Sequence, residues 1–315
     1  MRSSVRPLAL LLVLAASMLP AQAPQRAVLV TGASSGIGRK IAELLASEGF
    51  YVYAGARKAE DIAELSKIAN MKGIRLDVTS TQEVAAAVAS IERDGRGLYG
   101  VVNNAGIATG GALILTEEKE LQSVMDVNVM GPWRVTKAFG PMLVASKGRV
   151  VTVSSISGIL SGPLFGVYSM SKHAIEAFSD ALGAEMAPLG VTSSLIEPGN
   201  YKSDIGLNTM ATIQAAADRA KGTPFEQPSL NLVRAMGNYH NYPEPDAVAR
   251  AALHAFTSPK PQGRYMVVPA ANQALVTVRK AMEETVQLNH GHQFSIPRDS
   301  LVKMLDEMMA RIKQP

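Results

Sequence analysis

The chain has no cysteine among its 315 residues, which excludes disulfides, thiolate metal sites and a cysteine nucleophile and leaves the redox compartment undecided. It has one tryptophan and no run of basic residues, and its formal charge of +4 comes from scattered lysines and arginines. The sequence pI near 9.2 therefore reflects a solvated surface, and no nucleic-acid footprint is indicated. Histidine is scarce too: the five copies lie far apart or near the end. His290-Gly291-His292 lacks nearby carboxylates or a helix to set ligand geometry, so no metal site is expected.

One long apolar run stands near the start, over 8–19, preceded by Arg2 and Arg6 and followed by Ala21-Gln22-Ala23. This is the pattern of a secretory signal and its cleavage site, and the run is short for a membrane span. A non-cleaved anchor or a misassigned start codon would leave the same pattern, so export, membrane association and a cytoplasmic location all stay open. Residues 1–23 are set aside as a leader. With 47% of the chain hydrophobic, residues 24–315 are expected to form one large domain.

Residues 27–30 are a short apolar run of β type, followed by Thr31-Gly32-Ala33-Ser34-Ser35-Gly36-Ile37-Gly38 and then the helical spacing Ile41, Leu44, Leu45. That order predicts strand, glycine turn, helix. Glycines there permit positive φ and close backbone approach, and a helix N-terminus offers unpaired N–H groups to a pyrophosphate. The spacing Gly-x-x-x-Gly-x-Gly differs from the standard dinucleotide fingerprint, so a plain tight turn stays open. A second strand over 51–55 ends in Ala56-Arg57-Lys58, where an NAD-binding domain would place an acidic residue. No carboxylate stands there to hold a free ribose 2′-hydroxyl, and Arg57 suits a 2′-phosphate, so NADP(H) is expected over NAD(H). A third strand over 74–78 ends near Asp77, placed either to reach an adenine amino group or to form a turn.

A fourth strand over 98–102 runs into Asn103-Asn104-Ala105-Gly106, small and amide residues that let backbone approach a ribose or simply turn. The helix expected over 117–144 holds Asn128 mid-way with Gly131-Pro132 just after it, which predicts a kink. A fifth strand over 149–153 ends at Ser154-Ser155, on the sheet edge where open parallel sheets bind ligands. The next helix opens with Tyr168-Ser169-Met170-Ser171-Lys172 and runs towards Met186. Residues four apart share a helix face. A lysine beside a tyrosine favours the phenolate, making the phenol a better proton donor and acceptor near neutrality; two unrelated solvated side chains are the alternative. A sixth strand over 191–196 ends in Glu197-Pro198-Gly199. The pattern then weakens, and 200–243 is expected to be a lid or pocket wall. A helix over 245–256, a last strand over 263–268 and a helical extension over 270–315 follow, the latter ending in an amphipathic helix over 299–312 whose apolar stripe is expected to pack. The alternation predicts an α/β fold with a doubly wound, mostly parallel sheet and helices on both faces.

Five stretches together, Thr31 to Gly38, Asn103 to Gly106, Asn128, Ser155 with Tyr168 and Lys172, and Pro198-Gly199, resemble the short-chain dehydrogenase/reductase family. Gly55-Ala56-Arg57, Leu76-Asp77-Val78-Thr79 and Glu197-Pro198-Gly199-Asn200 look like its retinol and hydroxysteroid dehydrogenase branch. The resemblance implies a seven-stranded Rossmann-type sheet and an NAD(P)-dependent oxidoreductase acting on an alcohol or carbonyl, the branch pointing to an apolar substrate. It implies Tyr168 as the acid/base, with Lys172 lowering its pKa and holding the nicotinamide ribose. Ser155, thirteen residues before the tyrosine, would position the substrate oxygen, and Asn128 would support a water relay to Lys172. The cofactor contacts it implies are Gly32, Ser34, Gly36, Ile37, Gly38, Arg57, Asp77, Val78, Asn104, Ala105, Gly106, Pro198 and Gly199, together with Tyr168 and Lys172. Where the family often has threonine four residues after the glycine of Pro-Gly, this chain has Ser203. A homo-oligomer is also expected. A nucleotide-binding scaffold without turnover, or an epimerase or dehydratase, are the rival readings.

Overall fold

Along β1 (Ala27–Val30) successive side chains point to opposite faces of the sheet, and all four are apolar and buried. A strand hidden on both faces belongs in the middle of a sheet covered by helices on each side. The computed structural model, which describes residues 25–313, shows that arrangement; the leader expected at 1–23 lies outside the described residues. β1, β2 (Tyr51–Ala56), β3 (Met71–Arg75), β4 (Gly100–Asn103), β5 (Arg149–Val153), β6 (Thr192–Pro198) and β7 (Arg264–Val267) form one seven-stranded sheet in the order β3-β2-β1-β4-β5-β6-β7. Every neighbouring pair is parallel. The order reverses between β1 and β4, and such a switch point opens a crevice at the carboxyl ends of the strands.

The helices are α1 (Gly36–Ser47), α2 (Ala59–Leu65), α3 (Thr81–Asp94), α4 (Glu118–Met125), α5 (Gly131–Ser146), α6 (Gly166–Met186), α7 (Asp204–Arg219), α8 (Glu226–Met236), α9 (Asp246–Thr257), α10 (Ala271–Leu288) and α11 (Arg298–Lys313). On one face Val28, Val30, Val52 and Ala54 pack with Ile41 and Leu45 of α1 and Val248, Ala252 and Phe256 of α9. On the other, Ala27, Leu29, Val101 and Val150 pack with Val84 and Ile91 of α3 and Val135, Phe139 and Leu143 of α5. Each fully buried large apolar side chain stabilises by about 1.5–3 kcal/mol, so both layers hold the strand ends in fixed register.

Three expectations need correction. The third strand spans Met71–Arg75 rather than 74–78, because the chain turns at Asp77: its Oδ1 accepts from the backbone N–H of Thr79 (2.9 Å) and the Thr79 hydroxyl (2.7 Å). The helix expected over 117–144 is two helices, α4 and α5, joined by a π-helical turn over Asp126–Met130 that contains Asn128. The kink thus takes the form of one widened turn. The apolar stripe of α11 has no packing partner among the described residues: Val302, Leu305, Met308, Met309 and Ile312 are exposed, as are Leu275, Val278, Met282 and Val286 on α10.

The weakly patterned stretch after Gly199 forms α7 and α8. Arg219 of α7 reaches Glu120 of α4 (2.8 Å) and Glu117 (3.8 Å). A Cβ at Gly110 or Gly111 would press on Ile213 or Ala216, so α7 lies directly on the loop that follows β4.

Candidate active site

A cleft of about 450 Å³ opens at the carboxyl ends of β1, β2, β4, β5 and β6. Its floor is the turn between β1 and α1. Gly32 has φ of +63°, a left-handed conformation that favours glycine, and a Cβ there would stand 2.9 Å from the Ala105 Cα. A Cβ at Gly38 would overlap the Asn104 amide nitrogen and the Gly32 carbonyl. The two loops are joined around these gaps. Thr31 Oγ1 accepts from the N–H groups of Asn104 (2.9 Å) and Ala105 (3.0 Å), and Asn104 Nδ2 donates to the Thr31 and Gly32 carbonyls (3.0 and 3.1 Å). The first turn of α1 holds no acidic side chain, and Ser35 makes no side-chain cap. Its N–H groups are therefore available to an anion in the cleft.

Every cofactor contact expected from sequence lines this one cleft: Gly32, Ser34, Gly36, Ile37 and Gly38 on the floor, Arg57, Asp77 and Val78 at the outer end, Asn104, Ala105 and Gly106 opposite, and Pro198 and Gly199 at the end of β6. Arg57 is exposed at its rim. Burial raises the Asp77 carboxyl, but hydrogen bonds from Thr79 and the charges of Arg57 and Arg75 outweigh it, and the net effect is a carboxyl below its usual range. Asp77 is thus both turn former and cleft residue.

Ser155, Tyr168 and Lys172 line the inner end. The adjacent serines separate cleanly. Ser155 stands near enough to the Tyr168 phenol to favour its ionised form and accepts from the Ser157 N–H (3.1 Å), whereas the Ser154 hydroxyl donates to Glu176. Lys172 is 5% exposed and donates to the Val153 carbonyl (3.0 Å), with its ammonium 5.6 Å from the centre of the Tyr168 ring. Its burial lowers the amine to about 8, opposed by the negative charge of Glu176. That value lies above neutrality, so the ammonium form prevails at pH 7.

The expectation that Lys172 lowers the phenol is not what the protein alone produces. Tyr168 is set deep among protein atoms while keeping surface on the cleft, and burial pushes it up to about 12, with Ser155 pulling the other way. Removing both groups from water penalises the phenolate and the ammonium alike, and the ammonium spends a hydrogen bond on a backbone carbonyl.

Asn128, implied by the resemblance to support a water relay to Lys172, stands behind the wall of the cleft. Its Oδ1 accepts from the Ile107 N–H (2.8 Å), and its Nδ2 donates to the Ile107 carbonyl (2.8 Å) and Ser171 Oγ (2.9 Å). Ser171 in turn donates to the Tyr168 carbonyl (2.7 Å). Asn128 thereby ties the loop after β4 to the turn of α6 that carries the tyrosine. Sequence reading missed Tyr201, which lines the cleft, and Glu176. The signal for Glu176 was present: the four-residue spacing of Tyr168 and Lys172 continues to it along one face of α6.

A doubly wound parallel sheet, a glycine-floored groove at its switch point, and a serine, tyrosine and lysine converging at the groove's inner end define a Rossmann-type nucleotide-binding oxidoreductase. Residues 26–213 match the short chain dehydrogenase family model. The mitochondrial D-beta-hydroxybutyrate dehydrogenase of Rattus norvegicus is 36% identical over 264 residues, 76% of each chain. Retinol dehydrogenase 5 of Mus musculus is 34% identical over 253 residues, 76% of this chain and 79% of that one. Among solved structures, an actinorhodin polyketide ketoreductase with NADPH superposes with a TM-score of 0.65 at 28% identity, covering 79% of this chain and 97% of that one. The chain belongs to the short-chain dehydrogenase/reductase family. It is an oxidoreductase acting on hydroxyl or carbonyl groups with a nicotinamide cofactor, and it resembles the retinol and hydroxysteroid branch.

Proposed function

We propose that the protein is an NADP(H)-dependent dehydrogenase or reductase of an apolar secondary alcohol or ketone, with Tyr168 as the proton-transferring group. The observation that carries this is the convergence of the Ser155 hydroxyl, the Tyr168 phenol and the Lys172 ammonium in the cleft floored by Gly32 and Gly38. The nicotinamide cofactor supplies or accepts the hydride when bound. The uncapped N–H groups at the start of α1 fit a pyrophosphate, and Arg57 at the rim fits a ribose 2′-phosphate. Lys172 would hold the nicotinamide ribose. Ser155 hydrogen-bonds the substrate oxygen and Tyr168 gives it a proton during reduction, or takes one during oxidation. Asn128 acts from behind the wall, fixing the tyrosine's turn through Ser171.

Two features support an apolar substrate. Leu113 lies against Gly166, two residues from Tyr168, and with Ile114 it leaves apolar surface exposed near that end of the cleft. The mouse relative, by its name, handles retinol. The open apolar stripes of α10 and α11 support a homo-oligomer in which a second copy covers them.

Tyr168→Phe tests the central assignment, since it removes one hydroxyl and leaves the ring to pack. On apolar ketones with NADPH, turnover should fall by about 10²–10⁴-fold, the range for a general acid–base group, while direct titration shows NADPH affinity near that of the parent. Turnover within a few-fold of the parent would show that the tyrosine is not the acid.

A further inference from the structure

Glu176 extends the stripe of Tyr168 and Lys172 by one more helical turn, and Asp180 extends it by another. At its far end the stripe meets Arg264 of β7, whose guanidinium reaches Glu176 Oε2 at 2.9 Å, Asp180 Oδ2 at 2.6 Å and Glu197 Oε1 at 3.7 Å. Glu176 and Glu197 are 8% and 3% exposed. Two buried carboxylates beside one guanidinium cannot both keep a full charge cheaply. They are unequally served. Glu176 accepts from the Ser154 hydroxyl and from Arg264, while Glu197 Oε1 has no hydrogen-bond partner among the described residues. The space around Glu176 is built to fit: a Cβ at Gly158 would collide with its carboxylate.

We propose that Glu176 is a positioning residue that keeps the Lys172 ammonium charged inside its buried pocket, with Glu197 and Arg264 governing how much negative charge Lys172 feels. This rests on the role given to Lys172 above. The ammonium has a neutral backbone carbonyl as its hydrogen-bond acceptor, so a counter-charge must come from elsewhere, and Glu176 is the charge that opposes its desolvation. The groups facing Glu176 are Lys172 and Asp180 on its own helix, Glu197 on β6, Arg264 on β7 and the Ser154 hydroxyl at the end of β5. Glu197 is the carboxyl whose ionisation its surroundings oppose. Burial raises its carboxyl to about 7, the Glu176 charge adds to the rise, and Arg264 opposes it. Above that pH Glu197 ionises and adds negative charge to the cluster, which defends the ammonium as alkali begins to remove its proton.

The sign follows. Loss of the Glu176 charge lowers the Lys172 pKa further, so activity that needs the ammonium begins to fall at lower pH. In Glu176→Gln, which keeps the side chain's shape and its acceptor for Ser154, the alkaline limb of kcat/KM should move down by about one pH unit. NADPH affinity, measured by titration across the same pH range, should lose its alkaline strength in parallel. Glu197→Gln, isosteric with the protonated acid, should move the limb in the same direction by less. A Glu176→Gln profile that is uniformly scaled down but unshifted would reduce the residue to packing and overturn the proposal. If Glu176→Gln does not fold, the Glu197→Gln limb decides: a downward shift supports the proposal and an unmoved limb overturns it. Lys172→Met separates this inference from the reading beneath it. If that variant keeps the parent's rate and profile, the role of Lys172 falls; if it loses both while the glutamine variants leave the limb unmoved, this inference alone falls.

Discussion

The cleft and the C-terminal helices depart from ordinary burial in opposite senses. At and behind the inner end of the cleft an ammonium and two carboxyls are hidden from water: Lys172 in its lining, Glu176 and Glu197 behind it. On α10 and α11, Leu275, Met282, Val286, Leu305 and Met308 lie in the open. The first departure costs desolvation and is tolerated because hydrogen bonds and Arg264 offset part of it. The second leaves apolar area in water, as a stripe rather than as scattered single residues. In a monomer neither departure favours the fold. The first departure supports the cleft wall that carries Lys172, and the second is the surface for which a second copy was proposed above. Arg279 and Glu283, four residues apart, stand beside the stripe on α10.

The comparison can be broken hardest at Gly38. A methyl there must displace the Asn104 side chain or the Gly32 backbone, so Gly38→Ala should cost stability at the upper end of the about 1–3 kcal/mol typical of overpacking. NADPH binding should be lost with it. Denaturant melts with and without NADPH measure both, and an unchanged midpoint with intact binding would mean that the two loops are looser than their hydrogen bonds imply.

Next in size is Arg57→Ala. It should weaken NADPH binding by about 1.5–3 kcal/mol, the worth of a hydrogen bond to a charged group, and leave NADH nearly unaffected. Paired dissociation constants decide it; equal losses would remove the 2′-phosphate assignment. The smallest effect on the fold is expected from Met282→Glu, within about ±0.5 kcal/mol because the side chain is already solvated. Its effect on assembly should be plain. Light scattering should show a smaller particle than the parent, and a parent that is itself monomeric would leave the apolar stripe without the partner assigned to it.

The backbone-built parts of the molecule were legible in the sequence, and the parts joined by side chains were not. Gly32, Gly36 and Gly38 announced the floor of the cleft because a position that cannot accept a Cβ leaves its mark at that position. The thirteen-residue spacing from Ser155 to Tyr168 held because one short connection sets it. The clamp of Arg219 on Glu120 joins residues 99 apart and has no local signature. Arg264 meets Glu176 across 88 residues, which is why the carboxyl cluster was overlooked although its spacing from Lys172 was visible. The upward push on Tyr168 in the protein alone was hidden for a related reason: neighbours can be read from spacing, whereas burial depends on everything that packs around the pair. The third strand was displaced because Ile74-Arg75-Leu76-Asp77-Val78 alternates apolar and polar residues as a strand does, yet the Asp77 side chain captures the Thr79 N–H and turns the chain.

The π-helical turn at Asp126–Met130 also fixes how α4 and α5 are phased about their common axis. An ordinary helix advances about 100° per residue, so one residue more or fewer in that turn rotates everything on one side of it by about that angle relative to the other. Deleting a single residue there would make the turn an unremarkable piece of α-helix and improve its local hydrogen bonding. It would also swing Glu117 and Glu120 away from Arg219, or carry Val135, Phe139 and Leu143 out of the sheet's packing layer. The irregularity works as a spacer in angle, setting Glu120 of α4 towards Arg219 while Val135, Phe139 and Leu143 of α5 face the core.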